Sequence, residues 1–167
     1  MAWTGRIASV AMSRWVETVE RVIAAPPERI FAIVADPRRH QDINGNGTVR
    51  DAYDAPDKLS LGATFGMNME YGASYQMVST VIEYDVGRRI AWQSRPPSGS
   101  SRWRHLFGGR IWRYELEPVA GGTCVRESWD LSEEGLRWLV IGYRRQTRAN
   151  MKTTLERLEQ IVLREVS

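Results

Sequence analysis

At 167 residues the chain is long enough for one domain with its own core and short for two. Hydrophobic residues at 43% and charged residues at 26% exclude wholesale disorder, and 23 basic residues balanced by 20 acidic ones, with no recognition motif, argue against a nucleic-acid partner. The single cysteine, Cys124, excludes an intramolecular disulfide framework and the usual multi-cysteine zinc sites, and suits a reducing cytoplasm.

Residues 1–13 hold one arginine and an apolar stretch too short for a secretory core or a membrane span. They are read as a flexible extension ahead of a single domain over 14–163. Charges interrupt every later apolar run, so a soluble, cytoplasmic protein is expected. Residues 13–24, with Val16, Thr18, Val19, Val22 and Ile23, predict a first strand that stops at Pro26-Pro27. Pro27 suits a first helical turn, where its missing N–H would be unpaired anyway, and Ile30, Ile33 and Val34 then share one helical face. Asp36-Pro37 ends this helix, because a residue before proline is pushed out of the α region. A second short helix is predicted over 37–42. The cluster Asn44-Gly45-Asn46-Gly47 reads as a turn whose glycines supply positive φ. It is not a phosphate cradle, because a helix precedes it and a strand-like stretch, 48–53, follows.

From 62 to 131 the pattern is that of successive antiparallel strands. Phe65, Met67 and Met69 alternate with polar or small neighbours. Residues 75–84 follow, then 88–94 after the turn at Asp85-Val86-Gly87. Trp112, Tyr114 and Leu116 alternate with Arg113, Glu115 and Glu117, and Gly121-Gly122 leads into Val125, Glu127 and Trp129. Ser132-Glu133-Glu134 has the composition of a helix N-terminus. Beyond it Leu136, Val140, Tyr143, Thr147, Met151, Leu155, Leu158 and Val162 form one helical stripe of about thirty residues by its 3.6-residue period. Gly135 and Gly142 weaken its first turns and mark a bend or a late start.

The order of strand, two short helices, six strands and long helix predicts an α+β helix-grip fold: a curved, seven-stranded antiparallel sheet wrapped around the C-terminal helix. The residues also carry a family resemblance. The stretches are Ala24-Ala25-Pro26-Pro27-Glu28-Arg29-Ile30-Phe31 through Asp36-Pro37, Ser79-Thr80-Val81-Ile82-Glu83-Tyr84, Arg89-Ile90-Ala91-Trp92, and Trp112-Arg113-Tyr114-Glu115-Leu116-Glu117-Pro118 on to Gly121-Gly122-Thr123-Cys124-Val125. Over residues 14–163 the chain resembles the START-like (SRPBCC) superfamily, in its polyketide cyclase/dehydrase and lipid-transport branch. That resemblance implies a cavity between sheet and helix, used in the family for lipids, sterols, polyketides or other apolar ligands. It does not assign a reaction, because fold does not decide function.

If the alternation holds, Phe65, Met67, Met69, Tyr75, Met77, Trp92, Trp112 and Trp129 all point at the helix. With Phe31, Tyr114, Tyr143, Thr147, Met151 and Leu155 they form either a packed core or the wall of a ligand pocket. Glu127 shares their parity and, if inward, needs a partner, for which Arg110 is a candidate. Glu127, Arg110 and Tyr114 are therefore the candidate catalytic or polarising groups. His40 and His105 are read as lying in connecting segments without metal-ligand spacing, so no metal and no cofactor is expected. Cys124 is read as a structural thiol. Residues 95–109, with Trp103, Leu106 and Phe107 beside arginines, suit a lid or a transient membrane-surface contact. The arginines cluster at Arg102, Arg104 and Arg110 and at Arg144, Arg145 and Arg148, either as solvated surfaces or as sites for acidic groups.

Three functions follow. The first is a carrier or sensor that holds a hydrophobic or amphipathic small molecule unchanged. The second is a polyketide cyclase, aromatase or dehydratase-type lyase, and the third an interaction protein that uses its arginine-rich surfaces.

Overall fold

A computed structural model of the chain describes residues 13–102 and 106–166. Strand β1 (Val16–Ile23) runs into helix α1 (Pro27–Val34), whose first turn opens on proline as expected and whose Ile30, Phe31, Ile33 and Val34 are buried. The second helical stretch divides into a 3₁₀ turn (Pro37–Arg39) and α2 (His40–Ile43). Asp36 caps the turn by accepting the Arg38 N–H at 3.0 Å.

Strands β2 (Val49–Tyr53), β3 (Thr64–Tyr71), β4 (Ala73–Asp85), β5 (Arg89–Arg95), β6 (Arg110–Val119) and β7 (Gly122–Asp130) complete an antiparallel sheet in the order β1-β7-β6-β5-β4-β3-β2. The first strand thus pairs with the last, Val16 opposite Asp130 and Ile23 opposite Thr123. Register shifts between Val49 and Asp51 and between Val81 and Glu83 insert bulges, which increase local twist and bend a sheet.

The C-terminal helix begins later than its composition suggests. Ser132 turns back on Asp130, donating both its N–H and its hydroxyl to Oδ1 at 2.8 and 2.6 Å, and so does not cap the helix. A short helix, α3 (Arg137–Val140), passes through a 3₁₀ turn (Ile141–Tyr143) into α4 (Arg144–Val166). The two glycines mark this late, bent start. The helix lies mainly on β1, with α1, α2 and β7 also against it, and Met151, Leu155, Leu158 and Val162 are buried beneath it.

Gly45 shows what the Asn-Gly-Asn-Gly cluster is for. A Cβ there would stand 2.0 Å from the Asn150 carbonyl oxygen, so only glycine lets the turn lie on α4. Its N–H donates to Thr154 Oγ1 at 3.0 Å, and Arg157 donates to the Asn44 carbonyl. Of the two glycines only Gly47, at φ 68°, needs the left-handed region.

Candidate functional site

The strand register sets three tryptophans side by side on the inner face. Trp92 on β5 pairs with Trp112 on β6, which pairs with Trp129 on β7. One step along, Ile90, Tyr114, Glu127 and Val19 form the next row across four strands. Alternation along β6 and β7 therefore places a carboxyl group in an apolar layer.

Glu127 is 2% exposed and Tyr114 4%. The Tyr114 hydroxyl donates to Glu127 Oε1 at 2.9 Å, and Oε2 is buried without a hydrogen-bond partner. Burial pushes the Glu127 carboxyl up to about 8, with the Tyr114 hydrogen bond working in the opposite direction. Burial, and then the adjacent carboxylate, push the Tyr114 phenol well above its ordinary value. At neutral pH the carboxyl thus holds its proton.

His40 belongs to this layer, contrary to its reading as a connecting residue. Its ring stacks on Trp92 at 4.8 Å between centroids and meets Phe65 edge-on at 5.6 Å, while Trp92 stacks on Tyr114 at 5.7 Å. Nε2 lies 2.8 Å from the Val34 carbonyl, which can only accept, so the proton sits on Nε2. Burial pushes the imidazole below its usual range, which keeps it neutral. The signal was the spacing of three that puts Pro37, His40 and Ile43 on one buried face.

The inner face divides into two halves. Phe31, Phe65, Met67, Trp92, Tyr114, Trp129, Met151 and Leu155 are all buried in one continuous core, which Glu127 joins through Tyr114. Met69, Tyr75, Met77, Arg110, Trp112 and Thr147 are only half-buried and form a wetter half beside it. Met69 and Tyr75 also line an open cleft of about 480 Å³ with Arg50, Asp51, Asn68 and Gln76. Tyr143 departs from the expected wall and is 55% exposed. The 3₁₀ turn advances the chain by about 120° per residue instead of about 100°, which rotates this position off the stripe.

Arg110 does not pair with Glu127. Its Nε donates to Glu134 Oε2 at 2.9 Å, and the buried Glu134 accepts the Gly108 N–H at 2.6 Å on its other oxygen. This bond holds the 108–110 segment against the turn leading to α3. Gly109, at φ 106°, fits there because a Cβ would stand 2.1 Å from the Glu133 carbonyl oxygen. Arg144 and Arg148 are likewise engaged, both donating to the buried Glu17 on β1, the former at 2.6 Å. Cys124 faces the outer side of β7, half-buried, and burial raises its thiol. The expectations for Trp103, Arg104, His105 and residues 1–12 fall outside the described residues.

The family model described as polyketide cyclase / dehydrase and lipid transport matches residues 14–162. The chain belongs to this family. Two uncharacterized proteins from two strains of Mycobacterium tuberculosis are each 33% identical over 144 residues, which cover 81% of this chain and 59% of theirs. The chain therefore spans 59% of the length of these relatives. Among solved structures, a protein of Nitrosomonas europaea superposes with a TM-score of 0.68 at 17% identity, covering 92% of this chain and 97% of its own. A polyketide-cyclase-like protein of Corynebacterium glutamicum superposes with a TM-score of 0.58 at 21% identity, covering 92% and 94%. Likeness at these identities shows the fold alone; the family match, with that fold, makes the chain a member of the START-like superfamily. Among the described residues, no helix is long and apolar enough to cross a membrane.

Proposed function

We propose that the protein binds a hydrophobic or amphipathic small molecule between sheet and helix and carries or senses it unchanged. The observation that carries this reading is the buried Glu127 oxygen without a partner, set in a wall of rings and thioethers. An unpaired polar atom in such surroundings costs about 1–3 kcal/mol, and a ligand that supplies the missing hydrogen bond recovers it. The wet half, from Met69 and Tyr75 to Trp112, is the natural approach, because those side chains are only half-buried. A ligand lying there buries methylenes worth about 0.8 kcal/mol each and presents a carbonyl or hydroxyl to the neutral Glu127 carboxyl.

The test is a thermal-shift panel on the purified chain. Fatty acids, sterols, flavonoids and polyketide mimics should raise the melting temperature in proportion to RT ln(1 + [L]/Kd), and sugars and nucleotides should not. Stabilisation by nucleotides or acidic polymers alone, abolished by salt, would transfer the function to the arginine surfaces.

A second reading, a cyclase or dehydratase-type lyase, is favoured by the Glu127 value of about 8. A carboxyl poised near working pH can pass a proton in either direction. Turnover of a polyketide mimic that is lost in Glu127→Gln, with binding kept, would select it.

A further inference from the structure

The strongest unexplained surface is the bent start of the C-terminal helix. Trp138 is 66% exposed, Leu139 62% and Tyr143 55%, and all three lie on α3 and the 3₁₀ turn that follows. Leu106 and Phe107, also exposed, belong to the segment that abuts this region: the Gly135 N–H donates to the Gly108 carbonyl at 3.2 Å, and a Cβ on Gly135 would meet the Leu106 carbonyl oxygen at 2.6 Å. Large exposed apolar residues gathered in one place mark an interaction site.

Within this stretch of the chain the charge is one-sided, with Glu133 and Glu134 just before it and Glu156 just after it. Residues 135–155 carry Arg137, Arg144, Arg145, Arg148 and Lys152 and no acidic residue. Arg145, Arg148 and Lys152 follow one another at steps of three and four, which puts them on one helix face. Arg14 adds a further cation, its guanidinium stacked over Trp138 at 4.2 Å and over Trp15 at 4.5 Å. Glu17, which receives Arg144 and Arg148, is buried and contributes one negative charge against this array.

We propose that this apex docks on an anionic lipid bilayer, with Trp138, Leu139 and Tyr143 entering the headgroup layer and the basic face of α4 lying along the lipid phosphates. Tryptophan and tyrosine have an apolar body and a polar tip that suit the membrane interface, and flanking arginine and lysine are drawn to an anionic leaflet. A symmetric contact between two copies is disfavoured by the same charges, since it would oppose one basic surface to another. The docking stands independently of what the interior binds.

The test is co-sedimentation of the full chain with phosphatidylcholine vesicles, with and without phosphatidylglycerol. Binding is expected on the anionic vesicles only, and release is expected at an ionic strength of about 1 M, where the screening length falls to about 3 Å. Arg145→Gln with Lys152→Gln should weaken binding by about fivefold per charge removed. Leu139→Ser should weaken it without altering the salt dependence. Both variants touch exposed side chains, and an unchanged melting temperature certifies the fold. Equal binding to neutral vesicles, no binding at low salt, undiminished binding by the variants, or concentration-dependent self-association lost in Leu139→Ser would each overturn the proposal.

Discussion

The Tyr114 hydroxyl and the Glu127 carboxyl meet at 2.9 Å across adjacent strands, and this single bond leaves the second carboxyl oxygen buried without a partner. The pair sits directly opposite in the β6–β7 register, so the bond is a property of the sheet rather than of a loop. Its consequences are measurable as protons.

The Glu127 carboxyl is raised from 4.5 to about 8 by burial, so the folded chain keeps a proton that the unfolded chain has released. The stability it contributes is complete below pH 4.5 and is lost as pH rises toward about 8. The expected slope is roughly 1 kcal/mol per pH unit. Glu127→Gln should remove this decline, so that the variant gains on the wild type between pH 5 and pH 8 by about this slope in chemical denaturation. Parallel pH profiles would show that Glu127 is charged in the fold.

Tyr114→Phe should raise the Glu127 value further, because the lost hydrogen bond is what holds it down. The change should cost about 1–3 kcal/mol for the second orphaned oxygen. Infrared detection of the protonated carboxyl stretch across a pH series reads the shift directly. A fall in the midpoint would contradict the assignment.

His40→Ala should destabilise by about 2–4 kcal/mol, since it removes the ring stacked on Trp92 and the bond to the Val34 carbonyl. The imidazole is held below 6.5, so the wild type loses stability as pH falls below 6.5, where the unfolded chain takes up a proton that the folded chain refuses. The difference between wild type and variant should therefore narrow under acid. A difference that widens would mean that His40 is charged in the core.

Two tryptophans on adjacent strands should respond differently. Trp92→Ala removes a ring from the packed half and should cost about 3–5 kcal/mol. Trp112→Ala, at the half-buried position of the tryptophan row, should cost clearly less and should abolish the ligand-induced thermal shift. Equal losses of stability with ligand response retained would make Trp112 part of the core alone.

Arg110→Ala leaves the buried Glu134 carboxylate with the Gly108 N–H as its remaining bond and should cost about 3–5 kcal/mol. The double variant Arg110→Ala with Glu134→Gln should recover much of that loss, as urea titration can show. A double variant no better than the single one would place the loss elsewhere.

Much of the architecture was legible because periods of 2 and 3.6 are written in the residues: Phe65-Met67, Tyr114-Leu116 and Met151-Leu155-Leu158 bury the side that their spacing predicts, with Met69 and Trp112 half-buried on the same faces. The inward Glu127 was legible by parity, and Tyr114 was within reach as its neighbour. What sequence could not supply was contact between distant segments. Arg110 lies on the expected face, yet Glu134 arrives from a turn that no periodicity describes. His40 was missed because its one signal, the spacing of three shared with Pro37 and Ile43, is carried by a 3₁₀ turn and four helical residues, too short a stretch to stand out. Tyr143 was misplaced for the related reason that one 3₁₀ turn shifts the phase of everything before α4.

The pairing of β1 with β7 also dictates a timetable. Thr18 and Ser128, joined by a hydroxyl hydrogen bond, stand 110 residues apart, and Arg21 reaches still further, to Glu159. On a ribosome adding about 5–20 residues per second, β1 waits on the order of 10 s for β7, its one neighbour in the sheet among the described residues. Until then its backbone donors and acceptors are open to any other extended chain. The charged residues Glu17, Glu20 and Arg21 stand along that waiting edge and make it a poor template for a second copy.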